Sequence, residues 1–175
     1  MSPCFRNLSR LFPALMIAVL SMAVAPGDPA PDFTAKDQDG REVRLSALKG
    51  RAVLLYFYPK DDTPGCTKEA CSIRDGWDKF KKLGVAVYGV SSQGAESHRR
   101  FKDKHRLPFD LICDEDGKVA EAFGVGKMPV IGLFKRQSVL IGRDGKVIRF
   151  YNDVDPGTHS AGVLHDVEEY LKSSR

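Results

Sequence analysis

The segment Arg51-Ala-Val-Leu-Leu-Tyr-Phe-Tyr58 constrains the fold more than any other part of this sequence. It is an almost unbroken apolar run rich in β-branched and aromatic residues, and it stops at Pro59. A strand that alternated apolar and polar residues would have one wet face. A continuous run of this length suits a central strand buried on both faces, which requires layers of structure above and below a sheet. A polar turn, Lys60 to Gly65, follows it. From Cys66 to Leu83 the apolar residues Ala70, Ile73, Trp77 and Phe80 then recur at helical spacing, with Gly84 as a stop.

The alternation continues along the chain. Val85 to Val90 reads as a strand, Ala95 to His105 as a helix, Phe109 to Ile112 as a short strand and Val119 to Phe123 as a short helix. Ser138 to Ile141 and Lys146 to Tyr151 flank Gly142-Arg-Asp-Gly145, whose Asp-Gly pair marks a hairpin turn. Ala161 to Leu171 closes the chain as an amphipathic helix. Strand-helix-strand units followed by a hairpin and a last helix make an α/β fold with a central mixed sheet flanked by helices. The turn after Pro59 then falls at the carboxyl end of a central strand, where open α/β sheets place their chemistry.

With 175 residues, 42% of them hydrophobic, there is room for one such domain with a real core and none for a second. Residues 1–25 carry Arg6 and Arg10, no acid, and an uncharged apolar run from Leu11 to Ala25, broken by Pro13. This has the layout of a secretory signal peptide, with small residues for cleavage near Ala23 to Ala25, or of a short uncleaved membrane anchor. The expectation is a domain over residues 26–175, exported to the periplasm and not stably held by a membrane once the signal is cut. Without those two arginines the formal charge falls from +4 to +2, too weak a balance to imply a nucleic-acid partner. Cys4 would leave with the signal, so the exported chain would keep Cys66, Cys71 and Cys113, an odd number of thiols.

Cys66 stands where a helix begins, behind Pro64 and Gly65. Free backbone N–H groups and the positive end of the helix dipole there favour the thiolate form of a cysteine, the form that attacks the O–O bond of a peroxide to give a sulfenic acid. Cys71 follows five residues later. In a helix such a pair has Cα atoms roughly 8–9 Å apart, whereas bridgeable pairs lie below about 7 Å. A disulfide can form only if that stretch of helix unwinds, which favours a redox pair over a permanent staple. Upstream, Pro59 and Thr63 put a rigid turn and a hydroxyl before the thiol; each also has an ordinary reading, as a strand end and a helix cap.

The segment YFYPKDDTPGCTKEACSIRD resembles the active-site signature of peroxiredoxins, in particular the Q type, also called bacterioferritin comigratory protein. The similarity extends to APDF near Ala30, LSALKG around Leu48, FGV at Phe123 and DGKV at Asp144. It implies a thioredoxin-like fold with no metal or organic cofactor, and a peroxidase acting on hydrogen peroxide and organic hydroperoxides. By this resemblance Cys66 is the peroxidatic cysteine, Cys71 the resolving one, and Thr63 and Pro59 parts of the peroxide pocket. Arg136-Gln137-Ser138-Val139-Leu140 fits the family's distant arginine, whose forked donors can meet both the sulfur and a departing oxygen. A thioredoxin-like thiol reductant and a monomeric state are also implied; export would demand a donor outside the cytoplasm.

Other residues carry less. Cys113 at a strand end reads as a small buried residue rather than a third redox thiol. His98, His105, His159 and His165 show no tight spacing with cysteines or acids, so no metal site is expected. Met128-Pro129 reads as an ordinary turn proline. The competing functions are an exported thioredoxin-like disulfide exchanger and a copper-delivery protein, which call for two or three residues between the cysteines where this chain has four.

Overall fold

The computed structural model describes residues 23–173. Its elements run β1 (Thr34–Asp37), β2 (Glu42–Arg44), a 3-10 turn (Leu45–Leu48), β3 (Ala52–Phe57), α1 (Pro64–Asp75), α2 (Trp77–Leu83), β4 (Val85–Ser91), α3 (Ala95–His105), β5 (Asp110–Cys113), α4 (Lys118–Ala122), β6 (Gln137–Ile141), β7 (Val147–Tyr151) and α5 (His159–Ser173). The strands form one mixed sheet in the order β2-β1-β5-β4-β3-β6-β7. β3 pairs in parallel with β4 and antiparallel with β6.

The apolar run is this central strand, and every residue of β3 is buried. Alternate side chains feed two cores. Leu54, Tyr56 and Tyr58 point into one, with Ala70 and Ile73 of α1, Phe80 of α2, Phe101 of α3 and Val163 and Val167 of α5. Val53, Leu55 and Phe57 point into the other, with Leu45 of the 3-10 turn and Val119 and Ala120 of α4. Two buried faces explain why the sequence shows no polar alternation here.

The helix expected over 66–83 differs in two respects. It begins at Pro64, whose missing N–H costs nothing in the first turn. It also breaks at Gly76, where an added Cβ would lie 3.0 Å from Ser160 Oγ and 3.6 Å from Leu164 Cδ1. The break lets α5 pack close against the α1–α2 junction. β1 and β2 were not anticipated. They are short and mostly polar, and they form a hairpin through Asp37–Arg41, with Gly40 at φ +79°. Met128-Pro129 is a trans turn, since the described residues contain no cis peptide bond.

Candidate active site

The sheet itself assembles the site. Phe57, the last residue of β3, lies opposite Gln137, the first residue of β6. Because β6 runs antiparallel, Arg136 emerges beside the turn that leaves β3, which is the turn leading to Cys66. Two residues 70 positions apart thereby meet: Arg136 Nη2 donates to Cys66 Sγ at 3.3 Å. The thiol is the third residue of α1 and is 1% exposed. The start of α1 is built for this approach, because a Cβ on Gly65 would stand 3.1 Å from Arg136 Nη2.

The other arm of the guanidinium, Nη1, pairs with Glu69 Oε2. Glu69 is one turn after Cys66 on α1 and wholly buried. Burial works against the charge of Arg136, yet Glu69 and Cys66 outweigh it and hold the guanidinium above its ordinary pKa. Arg136 is therefore a fixed cation with one fork on a carboxylate and the other on the sulfur.

Pro59 ends the central strand and is half-buried. Thr63 is the residue before α1 in extended conformation, and its hydroxyl donates to the Lys60 carbonyl at 3.0 Å, closing the turn. Its carbonyl accepts the first helical bond, from Thr67 N. Cys71 lies in the second turn of α1, half-buried, and Cys66, Cys71 and Cys113 are all free thiols. Cys113 ends β5, paired with Ser91 and Lys36, and burial with help from Glu115, Asp37 and Asp61 pushes its thiol up to about 11. That suppresses its thiolate, as its reading as an inert residue requires.

Several residues at the site were not singled out from sequence. Asp61 is 7% exposed and accepts from Tyr58 Oη (2.7 Å) and Ser97 Oγ (2.6 Å), and its Oδ2 lies 2.9 Å from His98 Nδ1. Burial raises the Asp61 pKa, but the bond and charge of His98 outweigh it, and the carboxyl ends below its usual range. Asp62, in left-handed conformation at φ +56°, bonds Lys104 and His105. The turn before Cys66 is thus tied to α3 at two points. Glu69 and His159 meet at 3.1 Å, Oε1 to Nδ1. His98 and His159 each find an acid dozens of residues away, which spacing along the chain does not reveal. Among the described residues, Asp37, Asp39 and Asp110 approach closely enough to share an ion, but Arg41 bridges all three and Lys102 pairs with Asp110.

Residues 26–150 match the AhpC/TSA family. The chain belongs to that family. Among relatives of this AhpC/TSA member, a peroxiredoxin Q, chloroplastic, of rice (Oryza sativa subsp. japonica) is 49% identical over 142 residues, 81% of this chain and 65% of the rice protein. The match therefore spans just under two thirds of that relative's length. Peroxiredoxin Bcp of Bacillus subtilis (strain 168) is 40% identical over 154 residues, 85% of this chain and 98% of the Bacillus protein. The crystal structure of peroxidoxin BcpB from Mycobacterium tuberculosis superposes with a TM-score of 0.77 at 34% identity, covering 83% of this chain and 97% of that one. The Q-type resemblance and the thioredoxin-like peroxiredoxin fold both stand on these similarities.

The same comparisons overturn the expectation of an exported, periplasmic protein. The plant relatives are named for the chloroplast, an organelle inside the cell, and nothing positive speaks for the periplasm. The features behind that expectation, a basic start free of acids and an apolar run, are not confined to secretory signals, since organellar transit segments are also basic and poor in acids. Most of residues 1–25, with the proposed signal, its apolar run and Cys4, lies outside the described residues. No helix among the described residues is long and apolar enough to cross a membrane.

Proposed function

We propose that this protein is a thiol peroxidase in which Cys66 is oxidised and Cys71 resolves the product. The observation that carries the reading is the fork of Arg136, with Nη2 3.3 Å from Cys66 Sγ and Nη1 on the buried Glu69. The Cys66 thiolate attacks the outer oxygen of a peroxide ROOH, the O–O bond breaks, and the other oxygen leaves as ROH after taking up a proton. Arg136 holds Nη2 on the sulfur, and a fixed cationic donor beside the reacting atoms lowers the barrier as negative charge moves to the departing oxygen. Pro59 and Thr63 shape the turn over the thiol. The Cys66 sulfenic acid then condenses with the Cys71 thiol, releasing water and leaving a disulfide.

Both cysteines lie in one continuous helix in the reduced protein. The disulfide therefore needs the start of α1 to unwind, and early helical turns, with few internal hydrogen bonds, open at low cost. A dithiol reductant of the thioredoxin type restores both thiols. Organic hydroperoxides are included as substrates, supported by a Xanthomonas campestris bacterioferritin comigratory protein, 28% identical, whose structures concern alkyl peroxide reduction. Disulfide exchange and copper delivery as primary roles find no support in a thiol that is 1% exposed and separated from its partner by four residues.

The test is peroxide consumption with a thiol reductant, alongside insulin reduction and copper titration on the same sample. Wild type should consume peroxide and Cys66→Ser should not, while keeping its fold. Undiminished turnover by Cys66→Ser would reject the assignment.

A further inference from the structure

His159 sits at the start of α5, 6% exposed, with its ring edge-on to Tyr151 at 5.4 Å between centroids. It is held there from two sides. Asp155 Oδ1 accepts from Gly157 N, Thr158 N and Thr158 Oγ1, fixing the entry to α5, and Tyr151 is anchored by donating its hydroxyl proton to Asp166 at 2.6 Å. The ring's Nδ1 is 3.1 Å from Glu69 Oε1. The contact is out of line for a good hydrogen bond, and neither that oxygen nor either ring nitrogen makes another one among the described residues. A wholly buried carboxylate oxygen without a donor is costly. His159 Nδ1 is the nitrogen placed to supply it.

The geometry points to His159 as a positioning residue for Cys66 that acts through Glu69 and Arg136. In this relay His159 donates Nδ1–H to Oε1 of Glu69. That fixes the carboxylate so that Oε2 holds Nη1 of Arg136, and the planar guanidinium then presents Nη2 to the sulfur. The groups around this pair are Cys66 on α1, Tyr56 on β3, Arg136 ahead of β6 and Tyr151 on β7, while the side chains of Lys68 and Asp155 stand beside Gly157 at the entry to α5. Burial raises Tyr56 and Tyr151 well above the ordinary tyrosine range, so neither competes as an anion. Removing the imidazole N–H leaves Oε1 bare, lets the carboxylate turn and loosens the arginine from the thiol.

The inference rests on the peroxidase reading, but its principal readout does not need peroxide. Alkylation of Cys66 as a function of pH reports on the sulfur alone, whereas the Cys66→Ser turnover assay tests the reading itself. His159→Phe keeps a ring against Tyr151 and removes the donor; His159→Asn returns an N–H near the Nδ1 position. Expected is an alkylation profile moved to higher pH and peroxide oxidation slowed about tenfold in His159→Phe, the scale of one hydrogen bond acting at one remove. His159→Asn should recover most of both. A folded His159→Phe that matches wild type in both measurements would overturn the role, as would an Asn variant no better than Phe. Nitrogen-15 NMR of the reduced wild-type protein gives a test independent of any variant: a proton on Nδ1 is expected, and an unprotonated Nδ1 would overturn the proposal.

Discussion

Replacing Arg136 with alanine removes two interactions at once. The Nη2 contact to Cys66 Sγ at 3.3 Å is a single charged donor aimed at the reacting centre, and its arginine side chain is only 19% exposed, so solvent screens it weakly. Loss of one such donor costs on the order of 10²-fold in rate, or about 3 kcal/mol. The second loss is the cation on Glu69. That carboxylate is wholly buried and one helical turn from the thiol, so without Arg136 its negative charge opposes a thiolate instead of steadying the group that stabilises it. Arg136→Ala should therefore slow sulfenic acid formation by about 10²-fold or more and move Cys66 alkylation to higher pH. Adding Glu69→Gln to Arg136→Ala should recover part of the loss, since the two sites share one network and their effects are not additive. Stopped-flow peroxide oxidation under single-turnover conditions measures the first effect and pH-dependent alkylation the second. Unchanged kinetics in Arg136→Ala, or a double variant slower than the single one, would refute the reasoning.

Further expectations concern the resolving step, the turn and the third thiol. Cys71→Ser should consume one equivalent of peroxide and then stall as the sulfenic acid, going on to sulfinic acid with excess peroxide, which intact-mass spectrometry reads directly. Oxidised wild type should lose amide-exchange protection from Cys66 to about Arg74 while β3 stays protected; equal protection in both forms would contradict the unwinding. Despite its burial, hydrogen bonds and charge from His98, with Ser97 and Tyr58, hold Asp61 below the usual aspartate range, so the stability it contributes is present above the ordinary aspartate pKa and is lost as pH falls through the depressed folded value. Asp61→Asn should thus melt lower at neutral pH, with the gap to wild type closing in strong acid, followed by thermal denaturation. Cys113, pushed up to about 11, should resist alkylation at neutral pH, and Cys113→Ala should turn over peroxide at the wild-type rate.

Local signals explain what was readable in the sequence. The apolar run at Ala52–Phe57 suited a doubly buried strand, the Asp144-Gly145 pair marked the β6–β7 hairpin, and Ala95–His105 read as a helix. Cys66, Cys71, Thr63 and Pro59 lie within thirteen residues of one another, so their neighbourhood was legible as a motif. The break at Gly76 was not, because its cause is a neighbour, Ser160 of α5, far along the chain. Arg136 was found through family resemblance, while the pairing of Phe57 with Gln137 that delivers it is a property of the sheet. Glu69 looked like any polar helix residue until burial placed Arg136 and His159 on its two oxygens. His98 and His159 were read as lacking acid partners for the same reason: their acids are 37 and 90 positions away, and spacing rules see only neighbours. The expectation of a periplasmic location failed differently, since a basic, acid-free start is not peculiar to secretory signals.

The most direct test of the central claim is to give the Cys71→Ser protein one equivalent of peroxide, trap the product with a sulfenic-acid reagent and map the label by peptide mass spectrometry. The arrangement of Arg136 and the start of α1 around a single sulfur predicts the label on Cys66, with Cys113 unmodified. A label on Cys113, or peroxide left unconsumed while Cys66 remains a free thiol, would contradict it.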